Sequence, residues 1–185
     1  MPSGKNSERD FEVIGLYLCG SSRYGLQGGM MDQELAGKQG DLLRLGLGAR
    51  NWLITQINGS DEELEWTPPQ GGPSASEVVY HATIVLMLVC SEIANLLSIT
   101  LAQQEEKDSD SVEGRLKLHV RAVYQTFREL CTKLTDENLD EEMNLPPPSL
   151  LKRGSLEMIL RIIAGYHVAH HAGQVAILLR MARNA

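Results

Sequence analysis

The run from Leu156 to Arg183 most restricts what this chain can fold into. Apolar residues return along it at helical spacing, Ser155 stands before it as a cap, and it contains the stretch from Tyr166 to Gln174, which holds three of the five histidines. A helix turns about 100° per residue, which places His167 and His171 about 40° apart on one face and returns Gln174 to within about 20° of His167. Leu160, Ile163 and Leu178 share that face, so the imidazoles sit in the apolar stripe. A single histidine so placed is ordinarily a core residue hydrogen-bonded to a carbonyl or hydroxyl. Two of them one turn apart also suit a shared metal ion, because neutral imidazole is a good ligand and the spacing brings both to one point. A stable site needs a third ligand. His170 lies about 60° from His167 and is expected at the helix flank or hydrogen-bonded behind a ligand.

The remainder of the chain supplies partners for this helix. Leu35, Leu42, Leu45, Ala49, Trp52 and Leu53 define a first helix from about Asp32 to Ile57, weakened by Gly37, Gly40, Gly46 and Gly48. Asn58, Gly59, Ser60 and Asp61 break the pattern, and Leu64 to Pro73 reads as a connector. Ser74 and Glu77 form a capping box that opens a second helix, with Val78, Ala82, Val85, Val89, Ile93 and Leu96 as its stripe to about Leu101. His81 lies on this helix, one turn after Glu77. It is either a core-edge histidine held by that carboxylate or a metal ligand oriented from behind by it. After the charged linker Gln103 to Ser111, Asp110 and Glu113 cap a third helix running to Leu134, on which His119 is expected at the flank or surface. Thr135 to Arg153 contains Pro146, Pro147 and Pro148 and must cross between helices.

Four amphipathic helices with no strands between them predict an all-α four-helix bundle covering residues 31–185. Residues 1–30 read as an irregular extension, upstream of a start near Met30 or Met31, with one short apolar run from Phe11 to Cys19. Expression of Met31 to Ala185 alone checks that boundary by folding and metal binding. The aromatic content of 5% and the Leu-, Ala-, Glu- and Gln-rich segments agree with a helical fold. A net charge of −7, without a basic stripe, disfavours a nucleic-acid surface. No apolar run reaches the ~18 residues of a membrane span. Cys19, Cys90 and Cys131 are odd in number and widely spaced, which suits a reducing cytoplasm and not a disulfide framework.

The combination Trp66-x-Pro68, Ser74-x-x-Glu77-x-x-x-His81 and His167-x-x-x-His171-x-Gly173-Gln174 resembles the DinB/YfiT-like superfamily of metal-dependent proteins over about Asp32 to Arg183. The resemblance implies a DinB-type bundle in which His81, His167 and His171 hold a divalent metal, zinc or nickel. Glu77 and His170 then stand behind the ligands, and Gln174 orients a water or substrate. Relatives include bacillithiol S-transferases and a mycothiol-dependent maleylpyruvate isomerase, which implies a low-molecular-weight thiol as cosubstrate and a small electrophile as its target. It also implies a homodimer, with Leu97, Ile99 and Leu101 as surplus apolar residues. A metal-binding stress-response protein without turnover is the other reading. Two departures stand out: Ala172 occupies a position where the family often has Arg, and residues 1–30 have no counterpart.

Overall fold

The structure, a computed structural model, describes residues 35–102, 108–144 and 153–185. The extension 1–30, the apolar run within it, the start of the first helix at Asp32 and the three prolines lie outside the described residues. Four long helices form the bundle: α1 (Gly37–Gln56), α3 (Ala75–Leu96), α4 (Val112–Lys133) and a last helix made of α6 (Leu156–Leu160), a π-helical stretch (Arg161–His167) and α7 (Val168–Ala182). Two single-turn helices, α2 (Asp61–Glu65) and α5 (Asp136–Asp140), and two three-residue strands, β1 (Glu142–Asn144) and β2 (Arg153–Ser155), complete the order.

Contacts at the helix ends fix the directions. Lys38 at the start of α1 pairs with Asp140 and reaches Glu157, while Arg183 beyond α7 donates to the Asn58 carbonyl just past α1. Those two helices therefore run parallel. Ser76 at the start of α3 donates to the Leu64 carbonyl at 3.1 Å, and the Val112 amide opening α4 donates to Asp61 at 2.9 Å, so α3 and α4 both begin beside α2. They run parallel to each other and opposite to α1. Lys133 holds the Thr100 carbonyl at one end of α4, and Arg115 holds the Ser109 carbonyl at the other.

The core lies where these stripes meet. Leu42, Leu53, Leu86, Cys90, Ile93, Leu116, Phe127, Leu130, Leu160 and Val175 are 0–1% exposed. At the α1–α4 crossing, a methyl group on Gly46 would sit 2.5 Å from the Phe127 ring, so glycine here permits close packing, at a helix-propensity cost of about 1 kcal/mol. Gly165 does the same for the last helix, where an added Cβ would lie 2.8 Å from Leu45. Tyr124, fully buried, donates from its hydroxyl to the Ala164 carbonyl at 2.6 Å, fastening the π-helical stretch to α4.

Several expectations are corrected. Ser60 with Glu63, and Thr135 with Asn138, close capping boxes that start α2 and α5 inside segments expected to be connectors. β1 and β2 pair antiparallel, Met143 opposite Gly154, where no strand was expected. Ser111 caps α4, its side chain accepting from the Gly114 amide. The second helix ends at Leu96: Ser98 turns to φ 54° and the Ile99 amide bonds the Ala94 carbonyl at 2.7 Å, a left-handed helix stop. Leu97, Ile99 and Leu101 consequently pack against the core instead of crowding the surface. The exposed apolar residues of α3 are Tyr80, Ile84, Met87, Leu88 and Leu96. With an 18-residue mean hydropathy of 1.6, α3 meets a length and composition criterion for a membrane span, although Val79, Leu86, Cys90 and Ile93 fill the bundle core.

Candidate metal centre

Two helix starts and one irregularity set the histidines. The Ser74 hydroxyl accepts from the Glu77 amide at 3.2 Å and the Glu77 carboxylate accepts from the Ser74 amide at 2.8 Å, which fixes where α3 begins and so where His81 emerges. Opposite, the π-helical stretch closes at His167 and α7 carries His171 one turn later. A π-helical turn takes more residues than an α-turn and is common at functional sites.

His81, His167 and His171 converge, each offering a nitrogen within 4.8 Å of the others. Their ring centroids lie 5.5 Å (His81–His167), 4.9 Å (His81–His171) and 4.4 Å (His167–His171) apart. His81 is exposed and the other two are half-buried. The Nε2 atoms of His167 and His171 are 3.0 Å apart. Two nitrogens bound to zinc at about 2.05 Å in a tetrahedral shell would be about 3.3 Å apart, so the pair needs only a small opening to share an ion. Geometry and donor type both fit a divalent cation.

Burial sets the protonation state. His167 is pushed down to about 4, first by desolvation and then by the neighbouring His171, His81 and His170. His171 is also lowered, chiefly by burial; the hydrogen bond to Gln174 pulls the other way, and His81 and His170 add smaller downward effects. Both are therefore neutral near pH 7, the form that binds metal.

The residues around the cluster are engaged in different ways. Glu77 is engaged in the α3 cap, and no hydrogen bond joins it to His81 among the described residues. His170 packs its ring edge against His171, centroids 5.2 Å apart. Gln174 lies behind His171, its Oε1 2.7 Å from Nδ1, so this amide oxygen is engaged by a histidine. Nδ1 of His167 is buried without a hydrogen-bond partner among the described residues. His119 is half-buried, 3.0 Å from the Thr83 hydroxyl and 5.0 Å between centroids from Tyr80. Cys90 and Cys131 are buried free thiols; burial raises both, Cys131 to about 12.

Comparison with known proteins bears on the family and the fold. Residues 51–175 match the family model of the DinB superfamily. The fold is similar to the crystal structure of a DinB-like protein, YjoA, from Bacillus subtilis, with a TM-score of 0.54 and 21% identity over 78% of this chain and 94% of that one. Comparison with curated proteins gives no match.

Proposed function

The chain belongs to the DinB superfamily, and from its histidine cluster we propose a metal-dependent protein that activates a low-molecular-weight thiol, or water, for attack on a small electrophile. A thiol S-transferase is the leading form of this reading. The observation that carries it is the convergence of His81, His167 and His171, an all-imidazole group with one exposed member. Three neutral ligands leave a dication's charge unbalanced and its shell incomplete, as in catalytic sites. Zinc or nickel bound there would supply Lewis acidity, drawing a thiol or water toward its deprotonated form near neutral pH.

The chain's own groups support the rest. Desolvation keeps His167 and His171 unprotonated, and the exposed side of His81 leaves an approach for a small molecule. Among the described residues the cysteines, Cys90 and Cys131, are buried and protonated, which favours a reacting sulfur from a separate small molecule. A reducing cytoplasm suits such a cosubstrate. Metal-dependent hydrolysis is less favoured, since the nearest carboxylate on the His81 helix closes a cap. A homodimer belongs to the same reading, with Tyr80, Ile84, Met87 and Leu88 as the exposed apolar residues on α3; a monomer by light scattering at micromolar concentration would remove it.

The test is metal content after purification, followed by cobalt substitution and addition of cellular thiols. A sulfur-to-cobalt charge-transfer band, with thiol addition to a generic electrophile titrating alongside it and both absent in His167→Ala, is the expected result. Bound metal with neither band nor turnover rejects the transferase and favours a non-catalytic metal-binding stress-response protein.

A further inference from the structure

We infer that Gln174 is a positioning residue, which selects the tautomer of His171 and so aims its Nε2 lone pair at the other two histidines. The inference rests on the metal-binding reading and assigns one residue a task within it. An imidazole has two ring nitrogens, and only an unprotonated one can bind metal. Gln174 Oε1 lies 2.7 Å from Nδ1 of His171 and acts as an acceptor, so the ring proton belongs on Nδ1 and the lone pair on Nε2. That lone pair points toward His167, with 3.0 Å between the Nε2 atoms.

The three histidines are not supported alike. Nδ1 of His167 is buried and meets no partner among the described residues, and His81 is exposed with Glu77 occupied by its cap. Among the described residues, Gln174 is the side chain seen holding the rear nitrogen of a cluster histidine. Groups in that position commonly change metal affinity 10- to 100-fold when removed. The amide also has a second possibility: turned over, it would donate to a bare Nδ1 and leave the proton on Nε2. A residue that can only accept removes that alternative. Glutamate at this position should therefore hold His171 in the metal-ready tautomer at least as well as glutamine does.

The experiment measures zinc affinity by competition with a chelator in wild type, Gln174→Ala and Gln174→Glu, alongside nitrogen NMR of the His171 ring in the metal-free proteins. Expected is an affinity loss of about 10- to 100-fold for Gln174→Ala, full recovery or more for Gln174→Glu, and a fall in the Nδ1-protonated tautomer of His171 in the alanine variant alone. Far-ultraviolet circular dichroism checks that the helices persist. Wild-type affinity and tautomer in Gln174→Ala overturn the inference while leaving the metal reading intact. Failure of wild type itself to bind zinc or nickel overturns the metal reading, and the NMR arm still decides whether Gln174 sets the tautomer. An equal affinity loss in the alanine and glutamate variants, with the tautomer unchanged, overturns the inference in favour of a packing role.

Discussion

Gly165 and Gly173 sit on the same continuous helix, and their surroundings are opposite. A Cβ at Gly165 would press on Leu45 at 2.8 Å, whereas one at Gly173 would meet nothing within 4 Å. α1 repeats the contrast, with Gly46 closed against Phe127 and Gly48 open. In each pair one glycine marks a close approach of two elements and the other has open space where a side chain would go. On the last helix the change occurs across His167 and His171, so the cluster has a rigid foundation on one side and free space on the other. That division suits a site whose ligands must be held while something else approaches.

The strongest way to break this contrast is to remove a histidine. His171→Ala should lose bound metal on desalting, measured by elemental analysis, while Gly173→Ala, two residues away, should retain it. Equal loss in both would show that the open face is part of the ligand shell. Next in size is the packed side: Gly46→Ala should destabilise by about 1–3 kcal/mol in denaturant unfolding, because Phe127 is fully buried and must shift. Gly165→Ala should cost less, since Leu45 is half-exposed and can swing aside.

A pH titration separates the regions without altering packing. His167 is held at about 4 in the folded chain against about 6.5 when unfolded. Between those values the unfolded chain takes up a proton that the folded one refuses, so metal-free stability should fall as pH drops from about 6.5 to about 4. Above that window the group contributes no slope. Thermal melting across this range should show the decline, and His167→Ala should make it shallower, with His171 supplying the remainder; an unchanged slope would mean that the cluster is better hydrated than its burial suggests. The smallest effect belongs to the open glycine. Gly173→Ala should raise stability by up to about 1 kcal/mol through helix propensity alone, and a loss in thermal melting would contradict its open surroundings.

The bundle and its histidines were legible because their signals are local. Ser74 and Glu77 announce the start of α3, the apolar stripes give the long helices, and the His167–His171 spacing survives because it spans a single turn. What escaped was of two kinds. α2 and α5 carried capping signals, Ser60 with Glu63 and Thr135 with Asn138, hidden inside segments already read as breaks. β1 and β2 are too short to show alternation, and the π-helical stretch alters the pitch of a helix without altering its composition. The partner of Gln174 depends on side-chain torsions, which spacing does not specify; Glu77 and Gln174 both lie one turn from a histidine, and among the described residues only Gln174 bonds to one.

The parallel course of α1 and the last helix also orders events during synthesis. Translation delivers α1 first and α7 last, so α1 waits for more than a hundred residues of chain before its final neighbour emerges. In that interval α3 has left the ribosome without the surface that covers its histidine-bearing side. A nascent chain stopped before Tyr166 has only His81 of the three clustered histidines, so the cluster forms only once the last helix has emerged. Ribosome stalling in that window would leave the apolar side of α3 uncovered, the kind of surface a cell's chaperones meet.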